Sequence, residues 1–240
     1  MRAVAVVPTY NERENLPLTV ELILKHAPGV DVLVVDDNSP DGTGAVADHL
    51  AEQSPGAVLT LHRGAKAGLG AAYREAFRHV LELGYEAIVQ LDADLSHDPA
   101  VIPAFLERLQ EADLVLGTRY LGGVRVLDWD FKRLLLSKSA TQVARIATGL
   151  RYSDLTGGYK AWRRAALEAI DLDAIPARGY LFQIETTVQA HLRGLRIVEL
   201  PIVFQERRRG MSKIDSGVIL EATAGVIRLG FAARFGSRRR

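Results

Sequence analysis

The sequence predicts an α/β protein: a mostly parallel sheet flanked by helices in a single domain. Near-continuous apolar runs of strand length alternate with helical patterns of roughly ten or more residues, the signature of a parallel sheet covered on both faces. Polar clusters follow directly after those apolar runs, where open α/β sheets collect ligands. There is no linker rich in Pro, Gly or Ser, no low-complexity tract and no internal repeat to divide the 240 residues.

Each element is legible in order. "RAVAVVP" reads as a strand, and "ENLPLTVELILKHA" as an amphipathic helix with Leu18, Leu22 and Ile23 on its apolar side. "DVLVVDD" is a second strand, followed by the turn-like "NSPDGTG" and a helix over 42–53. "AVLTLHR" is a third strand, and "GLGAAYREAFRHVLELG" a long helix closed by Gly84. "YEAIVQLD" is a fourth strand, "AVIPAFLERLQEA" a helix and "DLVLGTRY" a fifth strand. The second half is less regular. A helix near 131–149 follows "GGVRVLDWD", "LTGGYKAWRRAALEAI" reads as a loop entering a helix, and 180–193 is helical. "LRIVELPIVF" is a strand interrupted by Pro201, and 215–235 a last helix.

Composition excludes several classes. Hydrophobic residues at 48% are ample for a core, and 30 basic against 29 acidic residues (net charge +1) give no reason to expect nucleic acid. The lack of cysteine removes disulfides, thiolate metal sites and thiol catalysis together. "MRAVAVVPTY" turns polar too early for a signal peptide, and no run reaches the roughly 18–20 apolar residues of a spanning helix. The expected location is cytoplasmic.

Four strand ends carry polar clusters: "PTYNE", "DDNSPDG", "DADLSHD" and "GTRY". In "VQLDADLSHDP", Asp92 and Asp94 in an extended segment would point the same way, about 6.5–7 Å apart. Two carboxylates so placed repel unless a cation lies near them, and hard Mg²⁺ or Mn²⁺ takes carboxylate oxygen while keeping waters or phosphates. The plainer reading is a solvated strand end, with Asp98 capping a helix that begins at Pro99 and His97 a supporting or surface residue. No P-loop appears and no G-x-G-x-x-G follows the first strand, which argues against a kinase or dinucleotide dehydrogenase. A diphosphate bound here must be held by metal and basic side chains. Arg119 offers a planar fork at the end of the fifth strand, and "FQERRRGMSK" sets Arg207, Arg208, Arg209 and Lys213 around Gly210. That segment is either a phosphate clamp or a solvated charge run.

In this order "VVPTYNE", "VVDDNSPDGT", "GLGAAYREAF", "LDADLSHDP", "GTRY", "DLTGGYKAWRR", "GYLFQIE" and "PIVFQERRRGMSK" closely resemble the family-2 glycosyltransferases, specifically the dolichol- or polyprenol-phosphate mannose synthases. The resemblance runs from about residue 3 to 215. It implies a Rossmann-like GT-A catalytic domain over 1–214. It implies inverting transfer of mannose from GDP-mannose to polyprenyl or dolichyl phosphate, the nearest alternative being a UDP-glucose-dependent polyprenyl-phosphate glucosyltransferase. On this resemblance Pro8, Tyr10, Glu12, Val35, Asp36 and Asp37 would line the nucleotide pocket. Asp92, Ala93 and Asp94 would meet the diphosphate and Mg²⁺ or Mn²⁺, and Arg119, Arg207 and Lys213 would bind donor or acceptor phosphate. Some relatives carry glutamine, a metal contact, where this chain has Ser96; here a water would complete the coordination. The acceptor implies a membrane surface, approached peripherally from the cytoplasmic face, with a separate membrane protein as a candidate recruiting partner. The 215–240 segment, an apolar stripe with basic flanks, either lies in the interface or covers the sheet. "VLDWDFKRLLL", with Trp129 and Phe131, is a second candidate for that contact.

Overall fold

The structure, a computed structural model, describes residues 1–127, 129, 131–175 and 180–205. Its first half alternates strictly: β1 (Ala3–Thr9), α1 (Leu16–His26), β2 (Val30–Asp36), α2 (Thr43–Gln53), β3 (Val58–His62), α3 (Leu69–Glu82) and β4 (Ala87–Gln90). A 3₁₀ turn (Pro99–Val101) leads into α4 (Ile102–Arg108), and β5 (Leu114–Thr118) follows. Beyond it come β6 (Val126–Leu127), α5 (Phe131–Thr148), β7 (Lys160–Arg163), α6 (Arg164–Ala169), α7 (Tyr180–Leu192), β8 (Ile197–Pro201) and β9 (Phe204–Gln205).

Seven strands form one sheet in the order β3-β2-β1-β4-β7-β5-β8, and β6 pairs with β9 in a small second sheet. Strand β7 runs antiparallel to both its neighbours, while the other pairings of the large sheet are parallel. The period of two along β1 shows why both faces are covered. Ala3, Ala5 and Val7 pack with Leu16, Val20 and Ile23 of α1, whereas Val4 and Val6 join Tyr73, Ala76, Phe77 and Val80 of α3. Burial of each large apolar side chain is worth roughly 1.5–3 kcal/mol, so both layers contribute to holding the sheet in place.

The sequence reading needs three corrections. The segment read as a loop entering a helix contains β7, which inserts between β4 and β5 with Val89 opposite Ala161 and Val115 opposite the same residue. The buried side of α1 is Leu16, Thr19, Val20 and Ile23; Leu18 and Leu22 are half-buried at its edge. Residues 93–94 form a turn instead of continuing the strand, with Leu95 in the left-handed region at φ 64°. The last helix expected at 215–235 lies outside the described residues, as does the 206–213 basic segment.

Candidate active site

Register sets the site. Thr9 lies level with Asp36 across β1–β2, Asp36 with His62 across β2–β3, and Val6 with Gln90 across β1–β4. The loops leaving β1, β2, β3, β4 and β5 therefore gather along one edge of the sheet.

On the β1–β2 side the polar residues brace one another. Thr9 Oγ1 donates to Val35 O (3.2 Å) and Asp36 Oδ1 (3.3 Å), and Ser39 donates to Asp36 through N (3.1 Å) and Oγ (2.5 Å). Asp36 thus shapes the loop. The Asp37 backbone N–H donates to Thr9 O (3.0 Å), while its carboxylate accepts from Arg63, whose Nε also reaches Glu75 (2.8 Å). Burial pushes the Asp37 carboxyl above its ordinary range despite the Arg63 guanidinium. The Glu12 N–H donates to Thr43 Oγ1 (3.0 Å) and its carboxylate accepts from Asn15 (2.9 Å); Lys66 Nζ sits 3.7 Å from the Tyr10 ring centre. Pro8 and Tyr10 are half-buried on this edge, but the Val35 side chain is fully buried in the core, so it can offer a ligand only its backbone.

Past β4, the turn draws Asp94 inward. Its Oδ1 accepts from Ser96 N (3.1 Å) and Ser96 Oγ (2.6 Å), and Asp94 is 3% exposed. The Ser96 hydroxyl, expected near a metal, therefore holds the carboxylate that would bind one. Ala93 is buried, its carbonyl accepting from Thr19 Oγ1 (2.8 Å) on α1. Asp92 is more open, its side chain 35% exposed, and its backbone N–H donates to His97 Nδ1 (3.0 Å). A backbone amide can only donate, so that ring nitrogen carries no proton. Burial lowers the His97 pKa, against the pull of Asp92 and Asp94, and keeps the ring neutral. Stacked on Tyr159 at 4.8 Å, His97 is a buried support. Asp98 caps the turn at Pro99 by accepting from Ala100 N (2.9 Å), as read from the sequence.

The second half of the chain supplies what the sequence reading missed. Arg119 was read as a fork for phosphate, yet its Nε and Nη2 bind the buried Asp154 carboxylate (2.6 and 2.9 Å) and Nη2 also donates to Thr156 (2.8 Å). Asp154 accepts further from the Thr156 and Gly157 amides, each at 3.1 Å. Burial alone would raise the Asp154 carboxyl; Arg119 and these donors override it and hold it below its ordinary range. Behind the edge, Trp162 Nε1 donates to Gln90 Oε1 (2.8 Å), and Gln90 Nε2 donates to Gly158 O (3.0 Å) and Gln183 Oε1 (2.8 Å). Lys160 Nζ, fully buried, donates to Gln183 O (2.5 Å) and to the Thr186 and Thr187 hydroxyls. Among the described residues the Tyr73 hydroxyl and Gln183 Nε2 have no hydrogen-bond partner. Burial, then the charges of Asp92 and Asp94, push the Tyr73 hydroxyl pKa well above its usual value, which puts that orphan atom in the field of both acids. The sequence signal for Asp154, Gly158, Lys160 and Gln183 was present in "DLTGGYK" and "GYLFQIE", but nothing in the pattern assigned them roles.

Among the described residues no three His, Asp or Glu side chains converge as a closed metal cage. The oxygen donors around Asp92, Asp94 and Ser96 suit a hard divalent ion that completes its shell with phosphate and water. Arg207 and Lys213 lie outside the described residues.

A mostly parallel sheet with acidic loops on its carboxyl edge is the architecture of the GT-A fold. The chain belongs to glycosyl transferase family 2, whose pattern matches residues 4–171. It is 47% identical over 235 residues to the undecaprenyl-phosphate mannosyltransferase of Micrococcus luteus, covering 98% of this chain and 96% of the relative. It is 47% identical over 234 residues to the polyprenol monophosphomannose synthase of Mycolicibacterium smegmatis, covering 97% and 88%. Among solved structures it resembles glucosyl-3-phosphoglycerate synthase from Mycobacterium tuberculosis in complex with Mn²⁺, UDP and glucosyl-3-phosphoglycerate. The TM-score is 0.66 at 18% identity over 98% of this chain and 80% of that one. The same enzyme with Mg²⁺ and UDP gives 0.65 at 19% over 98% and 79%.

Proposed function

We propose that this glycosyltransferase moves mannose from GDP-mannose to the phosphate of a polyprenol or dolichol, with inversion at the anomeric carbon. The observation that carries the reading is the Asp92–Ser96 turn, which aims hard oxygen at the carboxyl edge of the sheet beside the loops of β1 and β2. The relatives' names supply the sugar and the lipid acceptor. Pro8, Tyr10, Glu12 and Asp37 face the nucleotide side, with Arg63 orienting Asp37. Asp94, fixed by Ser96, and Asp92 would hold Mg²⁺ or Mn²⁺. When bound, that ion would neutralise charge on the departing diphosphate.

The rest of the chemistry belongs to the chain. A phosphate monoester is already anionic near neutrality, its second pKa being about 6, so the acceptor needs no side chain to remove a proton. The neutral His97, tied to the Asp92 amide, fits a positioning role better than that of a base. Arg207 and Lys213 would bind donor and acceptor phosphates, and the Arg119–Asp154 pair would hold the wall of the site rigid. Catalysis then rests on alignment and charge stabilisation.

Among the described residues no helix is long and apolar enough to cross a membrane. Helix α5 offers a surface to meet one. Phe131 (76% exposed), Leu135, Leu136, Val143 and Ile146 stand out from it, and Lys132 and Lys138 are exposed beside them. Exposed apolar side chains flanked by lysines suit an interface carrying anionic headgroups. Trp129 connects this helix to the site, its ring under the Arg133 guanidinium (4.6 Å) and edge-on to Phe204 (5.4 Å).

The test supplies labelled GDP-mannose and labelled UDP-glucose in parallel, with and without polyprenyl phosphate. Label entering the lipid phase only from GDP-mannose, and only with acceptor, is expected. Transfer from UDP-glucose instead would assign the alternative sugar, and no lipid product from either donor would reject the reading.

A further inference from the structure

Gly158 sits in the "TGG" turn before β7, and nothing in its own surroundings requires a glycine. A Cβ there would lie 3.6 Å from Gln183 Nε2, 3.6 Å from His97 Cε1 and 3.8 Å from Asp92 Oδ1, all ordinary contacts, and its φ is not in the left-handed region. The neighbouring Gly157 differs, since a Cβ there would press within 3.0 Å of Gly117 O. Gly158 is partly exposed. Its missing side chain therefore keeps open a small hollow between a carboxylate oxygen and an amide.

The polarity of that hollow is fixed by a relay of side chains. The Trp162 indole can only donate, so Gln90 must present Oε1 to it. Gln90 must then donate through Nε2, to Gly158 O and to Gln183. Gln183 must accept through Oε1, which leaves Nε2 as the atom turned toward Gly158 and Asp92. Gln183 is 1% exposed, and among the described residues its Nε2 finds no partner. A buried N–H without an acceptor carries an uncompensated desolvation penalty that a ligand oxygen would remove.

The chemistry selects one kind of ligand group. Gln183 Nε2 donates and Asp92 Oδ1 accepts. A phosphate oxygen would satisfy the amide but be repelled by the carboxylate, while a cation held by Asp92 and Asp94 would leave the amide N–H unpaired. A hydroxyl accepts from one and donates to the other.

We infer that Gln183, across the hollow kept open by Gly158, is a specificity-determining residue that binds one hydroxyl of the donor's hexose ring. The inference rests on the proposed hexosyl transfer and names the side chain that reads the sugar. The amide relay from Trp162 acts as its positioning device, and Tyr73 lies in the same charge field. A site built around a hydroxyl discriminates strongly against donors lacking it, because its own polar groups are then left unpaired.

The experiment measures kcat/KM for GDP-mannose and for its 2-, 3-, 4- and 6-deoxy analogues. The enzymes are the wild-type chain, Gln183→Met and Gly158→Ala, with GDP affinity and melting temperature recorded for each. In the wild type one deoxy donor should lose at least about tenfold in kcat/KM. In both variants GDP-mannose should fall toward that same analogue, so the discrimination shrinks several-fold while GDP affinity stays put. Gly158→Ala fills the hollow and leaves the Gln183 amide chemically unchanged, so it carries the test should Gln183→Met melt early. Undiminished discrimination among deoxy donors in the folded variants would overturn the inference, as would loss of GDP binding in step with donor binding. Either result leaves hexosyl transfer by the wild type standing. A wild type that transfers no hexose at all would instead sink the proposed function, and the inference with it.

Discussion

Two polar arrangements flank the glycine pair Gly157–Gly158, and they differ in completeness. On one side Asp154 takes the Arg119 fork and the Thr156 and Gly157 amides, all within 2.6–3.1 Å. On the other, Gln183 ends a relay with a buried N–H that no described residue accepts, beside a half-open Asp92. The Asp154 carboxylate is satisfied within the protein, whereas the Gln183 N–H finds no acceptor among the described residues. Burial and charge alone would have ranked Arg119–Asp154 as the richer functional site. Counting satisfied donors and acceptors reverses that order.

The difference can be broken by mutation, and the largest effect is expected at the turn. Asp94→Ala should lower mannosyl transfer by about a thousandfold, comparable to removing a main electrostatic contact. It should cost about 1 kcal/mol of stability, the order expected for the Ser96 bonds it gives up. Transfer assays beside urea unfolding would check both. Asp154→Ala should show the opposite balance. It takes the buried carboxylate away from the Arg119 guanidinium, so urea unfolding should register a loss of about 3–5 kcal/mol. Because the folded Asp154 pKa is depressed, the pair's stabilisation is present above the ordinary carboxylate value of 3.8 and is lost as pH falls through the folded value.

Lys160 sharpens the contrast by pH. Burial, only partly offset by Asp154, lowers its pKa from 10.5 to about 7. Below about 7 both folded and unfolded chains hold the proton; between there and 10.5 only the unfolded chain does. Stability should therefore rise with pH across that window. Unfolding midpoints of wild type and Lys160→Met at several pH values would isolate the contribution, and an equal pH dependence in both would refute it. The smallest effect is expected on α5. Phe131→Asp with Leu135→Asp should weaken binding to anionic vesicles several-fold, about 1 kcal/mol, read by flotation with soluble-donor binding unchanged.

Much of this was legible in the residues. Strands β1, β2 and β4 are buried on both faces, so they read as apolar runs, and the acids at their ends gather on one edge of the sheet. Strand β7 was hidden because it is four residues long and carries Lys160 and Arg163, whose needs are met by α7 carbonyl and hydroxyl oxygens and by the Leu109, Gln110 and Ala112 carbonyls. No local pattern shows a lysine that its acceptors are distant in sequence. The turn at 93–94 was hidden for a related reason: Leu95 is not a residue that announces a left-handed backbone. Arg119 was visible as a cation at a strand end, but its partner lies 35 residues on. Gln183 was invisible as a site residue because its role depends on Trp162 and Gln90 from two strands, Asp92 from the loop after β4, and a glycine.

The claim on which the rest depends is that the Asp92–Ser96 turn holds the metal and diphosphate of the donor. Titration of isotope-labelled chain with GDP and Mn²⁺, followed by paramagnetic broadening of the amide signals, tests it most directly. Broadening centred on residues 92–96 that disappears in Asp94→Ala is expected. Broadening centred elsewhere, or unchanged by that substitution, would contradict it.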